Sequence, residues 1–378
     1  MAETKKSQTH SALLDFNASW ITMIVYIVYL GGMIFLQRHY FQTIFSSGNE
    51  FNYYAFIIPS FLVGILLSLL VYNGSKIIGA NICGYKVVYM KFFGFTIDKT
   101  KKEKKVSFHF IDIGDMAMKF CPIDDDTKKN PRPIFFSGLV GETILFLIFL
   151  ILFLVLSLKK EASVSSFLGF MSLFAGIYGL IMIIYEFIPF RQDKPTDFFN
   201  LATTKSEEEK ECFNICAVNF KNELTGENFL VPTLDTYESY YPVHALYYVY
   251  LNHLYNNELE KAASTLEEMK KSIRKFDDNE RYLPQMESMY LRYLIDDSAG
   301  ADKVYLTLKS EDKANITHPQ DLGDFRTAIA VFHYISKDHE AYIKAVADFE
   351  NKAKNCVQSE RVLKEKELFE SMKKSLGE

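Results

Sequence analysis

The residues of this chain that could do chemistry are ionisable side chains within or beside long apolar stretches. Glu142 lies inside one apolar run, and Glu186 lies near the end of another. Lys76 and Asp197 flank runs of the same kind. Ionisable groups are costly inside a membrane and usually face partners or water, so these four residues are the first candidates for a functional site.

Other common catalytic and metal-binding arrangements do not occur in the sequence. No two of the eight His residues are three or four positions apart, and none lies in an apolar stretch. Cys212 and Cys216 are one helical turn apart, but without a second pair nearby they indicate packing in a helix rather than a metal site. The five Cys, an odd number at irregular spacing, do not form a disulfide framework.

The composition indicates a membrane protein with a polar C-terminal half, and it excludes a simple soluble enzyme. The 378 residues are 49% hydrophobic and 24% charged, and a net charge of −5 gives no reason to expect a nucleic-acid partner. Nearly all the long apolar runs lie before Arg191. Four of them approach or exceed the roughly 20 residues that a helix needs to cross a bilayer, namely 20–37, 53–72, 134–158 and 167–190.

The distribution of Lys and Arg predicts the orientation of these segments. The connection 73–133 carries eleven Lys and Arg132, whereas the 38–52 loop carries Arg38 alone and the 159–166 loop carries two Lys. Positively charged loops remain on the cytoplasmic side. Both termini and the whole C-terminal half are therefore expected to lie in the cytoplasm, and the protein is expected in the cytoplasmic membrane.

The connection 73–133 also contains β-structure. Residues 76–83 continue the second apolar helix for about two turns. Residues 85–97 and 105–120 then alternate apolar and polar side chains, separated by the charged run 98–104. This pattern predicts a β-hairpin or small sheet at the membrane surface.

Six short motifs follow one another along the first half of the chain. They are Tyr72-Asn73-Gly74-Ser75-Lys76, Gly84-Tyr85-Lys86, Cys121-Pro122, Ser137-Gly138, Glu186-Phe187-Ile188-Pro189 and Thr196-Asp197-Phe198-Phe199-Asn200. In order and spacing they resemble the motifs of the site-2 protease family of intramembrane zinc metalloproteases, particularly the branch found in Gram-positive bacteria. The resemblance covers roughly residues 15–215.

The resemblance implies which chemistry has been lost. In the family, two His one helical turn apart and a carboxylate bind Zn²⁺, and a Glu beside the first His activates the metal-bound water. The His positions correspond to Tyr72 and Lys76, the Glu position to Asn73, and the carboxylate to Asp197. A protonated ammonium cannot ligate a metal and an amide cannot take a proton from water, so the resemblance implies a homologue with no catalytic residue, metal or other cofactor.

We expect a polar cluster in place of the metal. If the fold is kept, Lys76 and Asp197 approach each other across the former metal cavity, and Glu186 and Glu142 belong to the same cluster. The simpler interpretation is that Lys76 reaches the cytoplasmic interface while Asp197 caps a helix.

After Arg191 the sequence predicts helices. Ser206 is expected to cap an amphipathic helix over 207–220. Helix pairs follow at 244–255 with 259–276, 283–294 with 299–309, and 321–336 with 340–354. The turns within these pairs recur at about 40 residues, which resembles tetratricopeptide-like repeats and their concave binding face. A last helix over 363–376 is expected to cap the array.

Two aromatic residues are candidates for partner recognition. Tyr240 and Tyr241 stand next to Pro242, before the first helix pair, and we expect them to be exposed. The other tyrosines of this region are expected to form the core of the pairs. The predicted domains are 1–19, a cytoplasmic segment; 20–72, two transmembrane helices; 73–133, the degenerate motif and hairpin; 134–190, two more transmembrane helices; 191–235, a linker with the amphipathic helix; and 236–378, the helical repeats.

These features predict a non-catalytic site-2 protease homologue that binds a peptide or a membrane-protein partner in the lipid bilayer. Peptide signalling, bacteriocin production or secretion is the context that the resemblance implies. Two alternatives remain open. One is an active intramembrane zinc protease with displaced or partner-supplied ligands, and the other is an accessory subunit of a membrane transporter complex.

Overall fold

A computed structural model describes the chain at residues 27, 31, 50–92, 94–100, 106–108, 117–158, 164–187, 195–234, 236–276 and 280–377. Helices predominate in this part of the chain, together with one small antiparallel sheet. The chain divides into two compact units. The first unit comprises Met1–Tyr85 and Asn130–Lys205, and the second unit comprises Lys86–Lys129 and Ser206–Glu378.

The described part of the first unit consists mainly of helices. They are α1 (Glu50–Ile82), α2 (Arg132–Leu158), α3 (Val164–Phe187) and the short α4 (Asp197–Thr203). As the sequence predicted, α1 is continuous through the degenerate motif and ends only where Gly84, with a φ of 76°, reverses the chain. Glycine adopts this left-handed conformation without steric cost, so the helix can pass directly into a strand.

Two segments of the described chain are long and apolar enough to cross a membrane, Ile58–Ile82 of α1 and Arg132–Val155 of α2. A shorter apolar stretch, Met171–Phe187, belongs to α3. The first predicted span, 20–37, lies almost entirely outside the described residues. The structure therefore supports two spanning segments by length and composition, and the prediction of four is not confirmed.

Small residues let α1 and α2 approach closely. Gly79 faces the Ser137 side chain, and a Cβ atom built on Gly79 would lie 2.9 Å from the Pro133 carbonyl oxygen. Gly141 makes the reciprocal approach, because its Cβ would lie 2.6 Å from Cβ of Ser75. Any side chain at either glycine would force the two backbones apart.

The sheet lies in the second unit, apart from the first residue of its first strand. Its strands are β1 (Tyr85–Phe92), β2 (Phe95–Asp98), β3 (Val106–Phe108) and β4 (Ala117–Pro122), in the order β3-β2-β1-β4. The predicted strand over 85–97 is in fact two strands, because the chain turns at Gly94, whose φ is 79°. The sheet was predicted, but the turn that divides the predicted strand 85–97 was not.

The sheet packs on the amphipathic helix α5 (Glu207–Thr225). Val88 and Cys121 from the sheet and Val218 from the helix are buried together. The Ser206 hydroxyl accepts a hydrogen bond from the backbone N–H of Glu209 at 3.2 Å, which confirms the predicted cap of this helix.

Eight further α-helices lie in the described part of the second unit. They are α6 (Tyr240–Tyr255), α7 (Leu259–Lys271), α8 (Leu283–Leu294), α9 (Ser298–Thr307), α10 (Ser310–Thr317), α11 (Leu322–Ala330), α12 (His339–Asn355) and α13 (Glu360–Ser375). All but α10 were predicted, with ends that differ by a few residues. The helix α11 continues as a π-helical turn, Val331–Ser336.

The three turns within the predicted helix pairs share one backbone conformation. Asn257, Asp296 and Lys337 have φ values of 57°, 62° and 50°, in the left-handed region. This conformation is uncommon outside glycine and ends a helix abruptly. Its recurrence at the predicted turns supports a degenerate repeat of about 40 residues.

The last helix is placed differently from the prediction. A capping helix would cover only the final pair, but α13 contacts α6, α8 and α11, which are the first helices of all three pairs. The helix α13 therefore lies against the first helix of each predicted pair rather than against the final pair alone.

Candidate functional site

Three side chains at the degenerate motif positions meet in the first unit. Nζ of Lys76 lies 2.7 Å from Oδ1 of Asp197. The hydroxyl of Tyr72 donates a hydrogen bond to Oδ2 of the same carboxylate at 2.6 Å. The ammonium of Lys76 also lies 4.3 Å from the centroid of the Tyr72 ring, within the range of a cation–π contact. Both oxygens of the Asp197 carboxylate thus have a partner from α1.

Local structure positions these groups. Tyr72 and Lys76 are one helical turn apart on α1, so they present neighbouring side chains on the same face. Asp197 is the first residue of α4, and Thr196 is the cap, because its side chain accepts the backbone N–H of Phe199. The interpretation of Asp197 as a simple helix cap is therefore wrong. Its carboxylate is free to face α1, and the residue is 2% exposed.

A second carboxylate holds the start of α4. Glu186, near the end of α3, accepts a hydrogen bond from the backbone N–H of Asp197 at 2.6 Å. The first N–H groups of a helix have no partner within the helix, so an acidic side chain stabilises them. The structure therefore brings together Lys76, Asp197 and Glu186, with Tyr72 as a fourth member.

The absence of a side chain at Gly138 makes room for this cluster. A Cβ atom on Gly138 of α2 would lie 2.9 Å from Cε of Lys76, 3.0 Å from Cε2 of Tyr72 and 3.1 Å from Oδ2 of Asp197. All three distances are shorter than ordinary van der Waals contacts. The predicted Ser137-Gly138 pair thus contributes space to the site rather than a functional group.

Glu142 does not belong to this cluster. Its carboxylate instead accepts a hydrogen bond from the hydroxyl of Ser68, and it lies against Gly179 of α3. Since Ser68 and Tyr72 are one turn apart on α1, and Gly138 and Glu142 are one turn apart on α2, this contact is one helical turn away from the ion pair. The sequence alone did not show that the Ser68–Glu142 contact and the Lys76–Asp197 ion pair lie on different helical turns.

The residues of the cluster do not fit a zinc ion. Among Tyr72, Lys76 and Asp197, only Asp197 offers a carboxylate, and its two oxygens already contact the Lys76 ammonium and the Tyr72 hydroxyl. The Asn73 amide donates to the carbonyl of Leu69 at 2.8 Å, within its own helix. Among the described residues, no group of three or more His, Cys, Asp or Glu side chains could hold a metal ion.

The two tyrosines proposed as recognition residues are buried, and the prediction that they are exposed is wrong. Tyr240 and Tyr241 are each 8% exposed. Their backbone N–H groups donate to the two oxygens of Glu209, at 3.1 and 2.9 Å, because the start of α6 lies against the start of α5. Burial raises the pKa of Glu209, and the backbone donors partly offset this. The sequence did not reveal that this acidic residue of one helix would cap another.

An unpredicted acidic group lies at the start of α11. The Asp324 carboxylate accepts the backbone N–H groups of Gln320 and Asp321, each at 2.9 Å. Burial and, secondly, the neighbouring Asp321 carboxylate raise the pKa of Asp324 from 3.8 to about 6, although the two backbone N–H donors partly offset this rise.

We therefore expect Asp324 to reduce the stability of the second unit as the pH rises from about 4 to about 6. Over that interval the folded chain keeps a proton that the unfolded chain has lost, so the free energy of unfolding falls. Replacing Asp324 by Asn should remove this contribution, on the order of 2 kcal/mol between the two ends of the interval. Denaturant unfolding at pH 4 and pH 7 would measure it, with Asp348→Asn at an exposed position as the control. Equal pH dependence in wild type and Asp324→Asn would contradict the prediction.

No protein-family model, no curated protein and no solved structure matches this chain. The fold and the site define a mainly helical protein with two segments long enough to span a membrane and an ion pair between the half-buried Lys76 and the buried Asp197. Any statement about its function must therefore come from these residues.

Proposed function

We propose that this chain is a membrane-embedded, non-catalytic homologue of the site-2 proteases that binds a peptide or a membrane-protein partner. The observation that carries the proposal is the contact of Tyr72, Lys76 and Asp197. These residues stand at the three positions where the resemblance places the zinc ligands. Positions 125 residues apart in sequence meet at one point, as the ligands of one metal ion must.

The residue types at these positions support a site in which another interaction has replaced the metal ion, rather than a site that has lost its interactions. In the family a divalent cation balances the Asp carboxylate, and here a Lys ammonium supplies positive charge next to the same carboxylate. A buried charge without a partner is strongly destabilising, so loss of the metal would require such a compensation. The Tyr72 hydroxyl satisfies the second oxygen. Such a cluster keeps the helices together without hydrolytic chemistry.

Large apolar side chains on the outside of the first unit support its location in the bilayer. At least a third of the surface of each of the following is exposed: Ile58, Leu62, Leu70 and Ile78 on α1, and Ile144, Leu147, Ile151 and Leu154 on α2. A water-soluble protein rarely exposes so continuous an apolar surface. We propose four membrane spans in all, with both termini in the cytoplasm, as the distribution of Lys and Arg predicts.

The proposal is tested by rebuilding the metal site. The triple variant Tyr72→His, Asn73→Glu, Lys76→His would restore the His-Glu-x-x-His sequence opposite Asp197. If the resemblance is real, the purified variant should retain about one equivalent of zinc after loading and dialysis, since two imidazoles and a carboxylate are the ligands of catalytic zinc sites. Wild type should retain far less than one equivalent. Elemental analysis of the detergent-solubilised proteins measures both.

The matched control adds Asp197→Ala to the triple variant, which should lose the zinc. A folded triple variant that binds no more zinc than wild type would contradict the resemblance. If wild type itself retained a full equivalent and lost it in Asp197→Ala, the site would be an active protease centre with other ligands. Cleavage sensitive to chelators would then be the next measurement.

A further inference from the structure

One face of the sheet carries apolar side chains on three adjacent strands. Residues that pair directly across neighbouring strands lie on the same face, and so do residues two positions apart in one strand. The pairing of β1 with β2 and of β2 with β3 therefore places two rows of three apolar side chains on one face. We call this set the apolar sheet face, and its rows are Phe92, Phe95 and Phe108, and Met90, Ile97 and Val106.

The opposite face of the same strands is polar. Lys91 pairs with Thr96, and Thr96 pairs with Ser107, between the two apolar rows. Because side chains alternate between the two faces of a sheet, this polar row points to the other side. All three of its side chains are half-buried. The three strands therefore form an amphipathic sheet in which the polar row is not fully exposed.

The apolar sheet face is the more exposed of the two. Phe95 is 51% exposed, Val106 is 58% exposed and Phe108 is 52% exposed. The rings of Phe95 and Phe108 lie side by side, with centroids 4.8 Å apart. In the part of the chain that the structure describes, α5 packs on β4, at the edge of the sheet farthest from β3. An antiparallel sheet in water turns its polar face outward, so an exposed apolar face of this kind marks a contact with something other than water.

The position of the sheet in the chain indicates the lipid bilayer as that contact. Only residues 83 and 84 separate Ile82, where the first candidate span ends, from Tyr85, where β1 begins. An extended chain covers at most about 3.6 Å per residue, so β1 begins within about 11 Å of the end of that span. After β4, the connection 123–131 leads into the second candidate span at Arg132. Both ends of the sheet are therefore tethered to segments that we propose to cross the membrane.

The charge of this region fits the same surface. The stretch 86–105 contains seven Lys, but Asp98 and Glu103 are its only acidic residues. Anionic lipid headgroups attract basic segments that lie next to a membrane. A bilayer with anionic headgroups offers an apolar layer and negative charge side by side, which matches an apolar face flanked by Lys residues.

We propose that the apolar sheet face lies in the interface of an anionic bilayer, where it forms a membrane contact additional to the spanning helices. The phenyl rings of Phe95 and Phe108 enter the boundary between headgroups and acyl chains, and the Lys residues of 86–105 contact the headgroups. The proposal rests on the proposed membrane location of the first unit. It does not depend on the resemblance to a zinc site.

The test measures tryptophan quenching in the full-length protein, reconstituted into vesicles of phosphatidylcholine and phosphatidylglycerol. Trp20, the single Trp of the chain, is first replaced by Phe. Phe108→Trp then reports from the apolar sheet face, and Ser107→Trp, its neighbour on the opposite face, is the matched control. Lipids with brominated acyl chains quench the tryptophans that they contact. We expect Phe108→Trp to lose at least about half of its fluorescence in brominated vesicles, because an interfacial apolar face lies ~5–10 Å deep, at the acyl boundary.

A third variant separates this proposal from the membrane location itself. Ile151→Trp lies on α2 at a position that is 61% exposed, and it should be quenched if α2 crosses the bilayer. Quenching of Ile151→Trp with no quenching of Phe108→Trp would overturn the sheet contact alone. If neither variant were quenched, the membrane location would fail as well. Equal quenching of Phe108→Trp and Ser107→Trp would also overturn the proposal, because the contact would not belong to one face.

A photoreactive lipid gives the same answer on wild type if the Phe108→Trp variant does not fold. Phosphatidylcholine with a diazirine in its acyl chain attaches to the side chains that it contacts, and mass spectrometry locates the attached lipid. We expect labels at Phe95, Val106 or Phe108, and fewer at Thr96 or Ser107. Labels on α2 without any on β2 or β3 would overturn the proposal.

Discussion

Replacing Lys76 by Ala is expected to destabilise the first unit by about 3–5 kcal/mol, and replacing Asp197 by Ala in the same chain should restore part of that loss. The single substitution leaves the Asp197 carboxylate, 2% exposed, without its cation. The double variant no longer buries the Asp197 charge. It still loses the hydrogen bond from Tyr72, so we expect a recovery of about 1–2 kcal/mol rather than a full return to wild-type stability.

Unfolding in mixed detergent micelles, followed by circular dichroism, would measure these free energies. The matched control is Lys261→Ala, which removes a cation 3.0 Å from Glu258 on the surface and should cost less than about 1 kcal/mol. Losses in the double variant that equal the sum of the two single losses would show that the two residues act independently. The ion pair would then not be the element that holds these helices together.

Replacing Arg326 by Ala should destabilise the second unit by about 5 kcal/mol, or prevent folding. Its guanidinium is the only cation placed between Glu287 and Glu365 in the described structure, and both carboxylates are buried. Without Arg326 the two carboxylates repel each other and cannot be solvated. Burial already raises the pKa of Glu287, which shows how unfavourable its charge is at that position.

The companion variant replaces Arg326 by Met and both glutamates by Leu. Buried charge networks exchanged for apolar residues of similar volume often cost little, so most of the lost stability should return. Denaturant unfolding would compare the two variants with Arg292→Ala, whose guanidinium pairs with Asp297 at 2.5 Å on the surface and should matter little. A triple variant no more stable than Arg326→Ala would mean that the network's hydrogen bonds, rather than charge balance, stabilise the array.

The two predictions also separate the two units. The Lys76 variants test whether an ion pair stabilises the proposed former metal site. The Arg326 variants test whether the charge network of Glu287, Arg326 and Glu365 stabilises the helix array. Loss of Arg326 should also weaken the docking of α13, because Glu365 loses its partner.

The charged residue in the apolar stripe of α11 was a signal that sequence analysis could have used. Leu322, Phe325, Arg326 and Ile329 lie at the spacing of one helix face, and all four are buried. An Arg among three apolar residues on a buried face requires a buried acid elsewhere. The sequence contains too many Glu residues to say that Glu287 and Glu365 are the partners.

Much of the secondary structure followed from the sequence, because it depends on neighbouring residues. The period of the apolar residues located nearly all the described helices, and Asn257, Asp296 and Lys337 stand at turns that were predicted from composition. The order of the motifs, which resembles that of the site-2 protease family, predicted that Lys76 and Asp197 lie close together. These are properties of short segments or of motif order.

Only the tertiary structure decided which surfaces are covered. Tyr240 and Tyr241 are buried because the start of α5 lies against the start of α6, and Glu142 contacts Ser68 because the helices meet one turn away from the ion pair. Likewise α13 contacts the first helix of each predicted pair rather than the final pair alone. Each outcome depends on pairs of residues 31 or more positions apart, whose packing free energies depend on all the surrounding side chains together. Local periodicity carries no information about such pairs.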